Sequence, residues 1–347
     1  MTLLILYEEL AAYFVKCISV FSERYNVDVH IIRKDVNKEA PFHLTMGNIH
    51  TYDRSKYSYD QLVKLVQQIK PDAIFCGGWS NKSYLKIVSN YKNKVPAVFG
   101  FDNKWTGSLK QRLASILAPV YITNRFDRCF VPGAEQKQFA IKMGFVEDRI
   151  AIGAYCCDVD YFYDQYILNR EPKGHNFPKR FIFVGRYYHF KGIQDLWNAF
   201  IQLQNESPNA WELWCLGTGD IEPFKHDKIK HFGFVQPKDL ASFIKETGVF
   251  VLPSHFEPWG VVVHEFAAAG FPIICSDAVG ARTAFVEDTI NGYIYKAGQI
   301  EQLKVQLKKM MELDTNQLEK MASNSVEKAK MNTPELWADT LMSLLKK

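Results

Sequence analysis

The sequence lacks the features that mark disulfide-bonded, membrane-spanning and nucleic-acid-binding chains. Its seven cysteines include no Cys-x-x-Cys pair, and an odd number without a regular spacing favours a reducing compartment. No apolar run approaches the roughly 20 residues that cross a bilayer, and the short run in "MTLLILYEEL" does not resemble a signal peptide. The net charge of +4 is small and spread along the chain, so no nucleic-acid partner is expected. These absences predict a cytoplasmic protein, soluble or at the inner face of a membrane.

What the chain does contain is enough apolar material for two folded domains. It has 347 residues, of which 47% are hydrophobic, and this length suits two domains of about 150 to 170 residues each. Short apolar runs alternate with helical periodicity, which is typical of βαβ units and a parallel sheet. The predicted strands are "TLLIL", "VDVHII", "DAIFC", "VPAVFG", "RCFVP" and "RIAIG" in the first half, then "RFIFVG", "WELWCLG", "IKHFGFV", "VFVLP" and "PIICSD" in the second.

A polar segment at residues 164–180, "DQYILNREPKGHNFPKR", separates the two series of strands. Because it contains two prolines and a glycine, it is the best candidate for a linker. We therefore expect a first domain over residues 1–164 and a second over 165–332. A last helix at about 333–347 starts with Thr-Pro-Glu, which is a good cap and first turn.

Two carboxylates, Glu257 and Glu265, stand in the almost uncharged stretch "LPSHFEPWGVVVHEFAAAG". The stretch predicts a buried strand, a loop and a helix, and the first N–H groups of that helix, at Gly260, Val261 and Val262, form a natural anion site. Eight helical residues span ~12 Å, so the two acids could hold opposite ends of one ligand. Taken alone, Glu257 is better explained as a favourable charge near a helix N-terminus, and Glu265 as an exposed helix residue.

The pattern E-x7-E in "EPWGVVVHE", after "VLPS" and before "AAAGFPIICSDAVGA", resembles glycosyltransferase family 4, whose members are retaining enzymes of the GT-B fold. The similarity extends through "FVGRYYHFKG", "WCLGTGD", "HFGFVQPKDLASFI" and "NGYIY", and "SHFEPWGVVVHE" is most similar to bacterial members that build surface polysaccharides. The resemblance implies an α/β chain with two Rossmann-like domains that face a central cleft. It also implies that the last helix crosses back to the first domain.

The resemblance assigns roles to the residues of these motifs. It implies that Glu257 contacts hydroxyls of the transferred sugar, that Glu265 contacts the ribose, and that Arg186 and Lys191 contact the diphosphate. The chemistry of the reaction supports this role for the two cations. A departing nucleoside diphosphate gains negative charge, which fixed donors or a metal must stabilise. The further residues expected at the donor are Gly185, Gly217, Gly219, Phe234, Val235, Trp259, Gly260, Val261 and Val262.

Neither a metal nor a cofactor is expected. No Asp-x-Asp stands in a metal-binding context, and "DVD" at 158–160 resembles instead an element that closes the first domain in this family. His255 and His264 flank the acids but lack a third ligand, so structural histidines are expected. Retention without an evident carboxylate nucleophile suggests a same-face reaction, in which the leaving phosphate helps to deprotonate the acceptor hydroxyl.

The first half departs from the family. It has no glycine-rich loop after the first strand and no histidine after "VPAVFG". Gly77, Gly78, Trp79 and Asp102 end strands at the expected cleft and are the candidates for acceptor contacts. Trp79 could stack on a sugar or only pack, and Asp102 could face the acceptor or cap a turn.

The segment "WTGSLKQRLASILAPVYITNRFDR" mixes apolar and basic residues at helical spacing. It predicts either a face that docks on a membrane surface or lipid diphosphate, or an ordinary amphipathic helix. The residues concerned are Trp105, Leu109, Leu113, Ile116 and Leu117 with Lys104, Lys110, Arg112, Arg125 and Arg128.

The function expected from the sequence is a metal-independent retaining hexosyltransferase. It would move a sugar from a UDP- or GDP-sugar to a glycan or lipid-linked acceptor in bacterial surface polysaccharide synthesis. Two alternatives stay open: a sugar epimerase or phosphorylase of the same fold, and a catalytically diverged protein that only binds nucleotide sugars.

Overall fold

The computed structural model describes residues 1–34 and 46–346, and the chain divides into two compact units. Unit 1 comprises residues 1–157 together with 332–347, and unit 2 comprises residues 158–331. In the described residues each unit is built on one parallel sheet with helices packed on it. The predicted α/β class with two parallel-sheet domains is confirmed.

Unit 1 contains a seven-stranded sheet, in the part of the chain that the structure describes, with the order β3-β2-β1-β4-β5-β6-β7. All neighbouring strands are parallel. Its elements before residue 158 are β1 (Thr2–Leu6), α1 (Ala12–Tyr25), β2 (Asp28–Arg33), β3 (His50–Asp53), α2 (Tyr59–Ile69), β4 (Ala73–Gly77), α3 (Lys82–Asn90), β5 (Ala97–Gly100), α4 (Leu109–Tyr121), β6 (Arg128–Val131), α5 (Ala134–Lys142) and β7 (Ile150–Ile152).

The apolar runs of the sequence became the buried strands of unit 1. Leu3, Leu4, Ile5 and Leu6 of β1 are fully buried, as expected for a strand covered on both faces. The one strand of this sheet that the sequence did not indicate is β3, whose residues "HTYD" are exposed or half-buried. An edge strand of this kind carries no apolar pattern to recognise.

Unit 2 has a six-stranded parallel sheet among its described residues, with the order β10-β9-β8-β11-β12-β13. The predicted strand "IKHFGFV" is shorter than expected, because only its first three residues pair. The elements are α6 (Val159–His175), β8 (Arg180–Val184), α7 (Ile193–Glu206), β9 (Glu212–Leu216), β10 (Ile229–His231), α8 (Leu240–Glu246), β11 (Val249–Leu252), α9 (Val261–Ala268), β12 (Ile273–Ser276), α10 (Arg282–Phe285), β13 (Gly292–Tyr295), α11 (Ile300–Glu312) and α12 (Thr315–Ala329).

The segment expected to be a linker is mostly helix. Residues 159–175 form α6, whose start is capped by the Asp158 side chain accepting from the Tyr161 N–H. Pro172 lies in the last turn, where it removes one backbone N–H donor shortly before the helix ends at His175. The polar composition of this segment therefore belongs to a helix and not to a linker. The first part of unit 1 ends at Cys157.

The final helix, α13 (Pro334–Leu345), belongs to unit 1 and packs against α1. The Trp337 indole N–H donates to the Ala154 carbonyl at 2.8 Å, and its ring meets the Phe14 ring edge-on at 5.8 Å between centroids. Arg24 and Tyr25 of α1 both bond to Asp339. The return of the last helix to the first sheet is as the resemblance implied.

All seven cysteines are buried and none forms a disulfide. Among the described residues, no helix combines the length and the apolar character that crossing a membrane requires.

Candidate functional site

The residues predicted at the donor follow four strands of unit 2, at the edge where those strands end. Residues 185–192 follow β8, residues 217–219 follow β9, residues 232–236 follow β10, and residues 253–260 follow β11. Because all these strands are parallel, the four loops meet at one edge of the sheet.

The first three loops contact one another through their backbones. The Gly185 N–H donates to the Leu216 carbonyl at 3.0 Å, and the Gly217 N–H donates to the Gly233 carbonyl at 2.6 Å. A Cβ on Gly217 would overlap the Gly185 carbonyl, and Gly217 has φ of +142°. A Cβ on Gly219 would overlap the Tyr187 backbone. The glycines of "LGTG" are therefore required by contacts between loops, which is a stronger constraint than a simple turn.

Lys191 and Glu257 form an ion pair at this edge. Lys191 ends a short 3-10 turn, and Gly192 after it has φ of +67° with its Cα against the Pro253 carbonyl. The His255 N–H donates to the Phe190 carbonyl at 2.8 Å, which fixes the turn to the loop after β11. The Lys191 Nζ consequently reaches the Glu257 Oε2.

This ion pair is largely shielded from water. The Lys191 and Glu257 side chains are 19% and 10% exposed, and the Ser254 hydroxyl lies 3.5 Å from the same Glu257 oxygen. Two opposite charges held together with little solvent screening interact more strongly than a surface pair. The pair is therefore a fixed feature of this sheet edge.

Arg186 immediately follows β8 at the same edge and is half-buried. Its guanidinium carbon lies 5.9 Å from the centroid of the Tyr188 ring. The arginine thus lies on the same loop as Lys191, and the two cations predicted for a diphosphate fall within the six residues 186–191.

The loop that carries Glu257 is pinned by residues after β12. The Gly280 N–H donates to the Glu257 carbonyl at 3.0 Å, and the Ala281 N–H donates to the Trp259 carbonyl at 2.8 Å. Trp259 is only 2% exposed and packs edge-on against Phe285 at 6.1 Å. Its ring therefore supports the loop, and this tryptophan can contact a ligand through little more than its backbone.

The helix after this loop begins at Val261, as the sequence indicated. Gly260 precedes it with φ of +92°, and no side chain caps its first turn. The N–H groups at the start of a helix have no partner within the helix, so an uncapped first turn leaves donors for an anion. Gly260, Val261 and Val262 are half-buried.

Glu265 lies in the second turn of this helix and is half-buried. Among the described residues, its carboxylate has no hydrogen-bond or ion-pair partner. Burial raises the pKa of Glu265 to about 7, since no nearby cation offsets the loss of water. At neutral pH this carboxyl therefore exchanges between its neutral and charged forms, and hydroxyl donors from a ligand would favour the charged one.

The two histidines near the acids have structural roles, as the sequence indicated. His264 is fully buried, donates from Nε2 to the Ala329 carbonyl at 2.9 Å and stacks on Phe285. Burial lowers the pKa of His264 to about 4, so the ring is neutral. The His255 Nε2 bonds to the Asp195 Oδ2 at 2.6 Å. Sequence reasoning missed Asp195, for which the only signal is an acid in the first turn of α7.

The residues predicted on the acceptor side lie around one cavity of unit 1. This cavity, of about 430 Å³, opens where β1, β4 and β5 end, and Gly77, Gly78, Trp79 and Asp102 all line it. Trp79 packs against Phe101 at 5.4 Å between ring centroids, so packing accounts for at least part of its role. The Asp102 carbonyl accepts from the Gln136 side chain at 3.1 Å.

Where the family carries a glycine-rich loop after the first strand, this chain has Tyr7. A Cβ on Gly77 would overlap the Tyr7 ring, so the neighbouring strand β4 supplies the glycine that makes room for it. Burial raises the pKa of Tyr7 to about 12. The phenol therefore remains protonated and can donate a hydrogen bond.

The cavity of unit 1 is acidic and aromatic. Its described lining contains three acids and no lysine, arginine or histidine. One acid, Glu8, pairs with Lys34 at 2.5 Å. Sequence reasoning missed most of this lining, although "YEELAAY" after the first strand held the signal. The lining residues that were not foreseen include Tyr7, Glu8, Glu9, Tyr13 and Tyr155.

One group of potential metal ligands occurs among the described residues, and it lies away from the predicted site residues in the sequence. Ligand atoms of Asp28, His30 and His50 lie within 4.8 Å of one another on β2 and β3. His30 bonds to Asp28 and to Tyr52, both at 3.0 Å, and stacks on His50. Hydrogen bonding and stacking account for this cluster, because stacked rings direct their nitrogen lone pairs along parallel planes rather than towards one ion.

Comparison with known proteins finds sequence similarity within unit 2. Residues 168–328 match the family model described as "Glycosyl transferases group 1". An uncharacterized glycosyltransferase of Methanocaldococcus jannaschii is 34% identical over 123 residues, which is 33% of this chain and 31% of that protein. The lipopolysaccharide 1,6-galactosyltransferase of Escherichia coli is 29% identical over 133 residues, or 35% of this chain and 36% of that protein. The chain thus matches about a third of the length of these curated relatives.

The likeness in three dimensions covers nearly the whole chain. The crystal structure of HepE from Anabaena in complex with UDP and glucose has a TM-score of 0.71, with 15% sequence identity over 98% of each chain. At that identity the likeness concerns the fold alone. The chain therefore has the two-unit α/β fold of GT-B glycosyltransferases, and residues 168–328 carry the similarity to their group 1 domain.

Proposed function

We propose that the protein is a retaining glycosyltransferase, which moves a hexose from a nucleotide-diphosphate sugar to a glycan or lipid-linked saccharide in bacterial surface polysaccharide synthesis. The observation that carries this proposal is the edge of unit 2, where Arg186, the Lys191–Glu257 pair and the uncapped start of α9 lie on loops of one sheet edge. That set of groups suits a ligand with both anionic and hydroxyl groups.

The proposed chemistry assigns each group a role. Lys191 and Arg186 would hold the diphosphate and stabilise the charge that develops on it as the sugar leaves. Glu257 would accept hydrogen bonds from hydroxyls of the transferred sugar, and Glu265 would accept them from the ribose. Since two cations and a helix start supply the positive charge, we propose that transfer requires no divalent metal.

One structural neighbour supports a nucleoside-diphosphate sugar as the donor. HepE of Anabaena was crystallised with UDP and glucose. The E. coli relative is a lipopolysaccharide 1,6-galactosyltransferase, which supports a saccharide acceptor at a cell-surface polysaccharide. The base, the sugar and the linkage are left to experiment.

The cavity of unit 1 supports a sugar as the acceptor group that enters it. Carboxylates can accept hydrogen bonds from hydroxyls, and aromatic faces favour the C–H faces of a sugar ring. Because Lys34 already pairs with Glu8, the repulsion of a phosphate at this position would come from Glu9 and Asp102. We therefore propose that the acceptor presents a neutral or amino sugar to this cavity, and that any phosphate of a lipid-linked acceptor lies outside it.

We also propose peripheral contact with a membrane through α4. In the described structure this helix buries only Ala118, while six of its large apolar side chains are exposed. The exposed Lys110 and Arg112 flank them, and cations beside an exposed apolar face suit an anionic lipid surface. The exposed apolar residues are Leu109, Leu113, Ile116, Leu117, Val120 and Tyr121.

The other residues that the sequence suggested for this face make contacts within unit 1. Trp105 packs against Phe139 at 5.5 Å, and Lys104 lies 3.8 Å from Glu135. Arg128 donates to the Ser343 and Leu344 carbonyls at the end of α13. The proposed membrane face is therefore α4 alone.

Activity is tested with a panel of UDP- and GDP-sugars, with and without simple saccharide acceptors, in excess chelator. We expect one nucleotide sugar to be consumed, with slow hydrolysis when no acceptor is present and a product of unchanged anomeric configuration by NMR. Loss of turnover in chelator, restored by Mg²⁺ or Mn²⁺, would contradict metal independence. An inverted product would contradict retention.

The same panel separates the two alternatives. An epimerase would convert the sugar without releasing it to an acceptor, and a phosphorylase would require inorganic phosphate. A diverged binding protein would bind a nucleotide sugar and leave it intact. The absence of consumption, together with measurable binding, would favour that last alternative.

Membrane contact is tested by cosedimentation with vesicles. Vesicles containing phosphatidylglycerol should retain the parent chain, and Leu113→Ser with Ile116→Ser should release it, since each exposed apolar side chain contributes about 1 kcal/mol or more at an interface. A matched control is Ile152→Ser, another exposed apolar residue of unit 1. Equal retention of all three would exclude α4 as the membrane face.

A further inference from the structure

Unit 2 contains a second cavity, at the edge of its sheet opposite to the candidate donor site. This cavity, of about 470 Å³, is lined by the second half of α6, by α12, by Gly248 just before β11 and by Gly270 just after α9. Gly248 and Gly270 precede strands, whereas the donor loops follow them. No predicted site residue lines it.

An amine without a partner faces this region. Lys173 lines the cavity and is half-buried, with its Nζ 4.2 Å from the centroid of the Phe271 ring. Among the described residues, its ammonium group has no hydrogen-bond or ion-pair partner, although buried charges in proteins are normally paired. Burial lowers the pKa of Lys173 to about 7, and Glu246 opposes this only weakly.

The other charged residues around the cavity do not pair with Lys173. Arg170 and Glu171 come from α6, and Glu319 and Lys320 come from α12. All four are exposed at the rim. The lining has three cations, Arg170, Lys173 and Lys320, against the two acids, so the cavity carries an excess of one positive charge when Lys173 is protonated.

The remaining lining is suited to the body of a small molecule. Tyr166 and Phe177 supply aromatic surface, and Asn316 and Ser323 supply hydrogen-bonding groups. Gly270 has φ of +71°, and a Cβ there would overlap the Tyr166 ring. The tyrosine thus lies directly against the backbone between α9 and β12.

We propose that this cavity is a second ligand site, which binds a small phosphorylated organic molecule with its phosphate at Lys173 and its body against Tyr166 and Phe177. Arg170 and Lys320 at the rim contribute further donors to the phosphate. A dianion of this kind supplies the counter-charge that Lys173 lacks, so binding near neutral pH adds a proton to the amine. The site is independent of the proposed transferase activity.

The proposal is tested with pyridoxal 5′-phosphate as the probe. A neutral lysine amine adds to its aldehyde and loses water to form an imine, which borohydride reduces to a stable secondary amine. Tryptic peptides are then analysed by mass spectrometry after brief labelling at pH 7.5. We expect Lys173 to be labelled by pyridoxal 5′-phosphate about tenfold or more faster than by pyridoxal, the scale of one charge-assisted contact, and inorganic phosphate to protect it.

Controls within the chain separate an anion site from a merely reactive amine. Lys179 is an exposed lysine of unit 2 and should react with both aldehydes alike. Arg170→Ala with Lys320→Ala should reduce the preference for the phosphorylated probe at Lys173 and leave labelling by pyridoxal unchanged. Labelling of Lys173 by both aldehydes at one rate, or its failure to react with either, would overturn the proposal. Because the readout is the modified peptide, it stands whether or not the protein transfers sugars.

Discussion

The two sheets end in edges of opposite character. In unit 2, Arg186 and Lys191 accompany Glu257 on loops that touch through their backbones, whereas the cavity at the corresponding edge of unit 1 has acids and aromatic rings but no described cation in its lining. The proposed ligands differ accordingly, with a phosphate-bearing donor at the first edge and a sugar at the second. The contrast teaches that one architecture, repeated in a chain, leaves the chemistry to the loops.

One glycine of each edge shows how differently the two loops are packed. Gly217 is hemmed in by the Gly185 carbonyl, whereas nothing lies within 4 Å of a Cβ on Gly78. Both have positive φ. A side chain is therefore expected to be tolerated less well at Gly217 than at Gly78.

The largest expected effect is the difference in folding stability between the variants Gly217→Ala and Gly78→Ala. The first change forces two backbone segments apart and should cost about 4 kcal/mol or more. The second adds only the strain of a left-handed alanine, about 1 to 2 kcal/mol. Chemical denaturation of both variants gives the comparison, and similar losses would mean that the backbone contacts of unit 2 are not the constraint.

The next largest effect concerns the cations of the unit 2 edge. Arg186→Ala and Lys191→Met should each slow transfer by about 10² and weaken UDP or GDP binding, since each removes a donor to the departing diphosphate. Lys137→Met is the matched control, because Lys137 pairs with Glu147 in unit 1 at 2.9 Å. Diphosphate affinity that is unchanged in both site variants would refute the assignment.

A smaller effect is expected from the buried carboxyl of Glu265. Its pKa rises on folding from 4.5 to about 7, so its ionisation disfavours the folded state. The resulting destabilisation is absent below pH 4.5, grows as the pH rises to 7 and is constant above. Glu265→Gln should therefore raise stability by about 1 to 3 kcal/mol at pH 8 and by little at pH 4. Melting curves at the two values test this, and a gain at pH 4 equal to that at pH 8 would contradict it.

The smallest effect is expected on the acceptor side. Asp102→Asn keeps the shape of the unit 1 cavity and removes one charge. It should raise the KM for the acceptor by about fivefold to tenfold, as the loss of one charged hydrogen bond does, and should leave the affinity for the nucleoside diphosphate unchanged. If only the diphosphate affinity changed, Asp102 would contact the donor instead, and the proposed division of ligands between the two edges would be wrong.

The sequence predicted the fold of unit 2 and the residues at its edge because apolar runs and backbone-packed glycines are local signals. Strands β3 and β13 and the helical state of residues 164–175 were not predicted. Both strands are four-residue edge strands, and the helix is too polar to show an apolar period. The Lys191–Glu257 pair joins residues 66 positions apart, and no local pattern reports such a contact. The acidic lining of unit 1 was likewise hidden, because Tyr7, Asp102 and Tyr155 come from three distant segments.

The measurement that tests the central account most directly is calorimetric titration of UDP and GDP into Glu265→Ala and Glu257→Ala, after both variants have been shown to be folded. If Glu265 holds the ribose and Glu257 the transferred sugar, Glu265→Ala should lose about 1 to 3 kcal/mol of affinity for the preferred diphosphate. Glu257→Ala should bind it almost as the parent does while its turnover with the full nucleotide sugar falls sharply. Parental diphosphate affinity in Glu265→Ala, or full transfer activity in Glu257→Ala, would contradict the account.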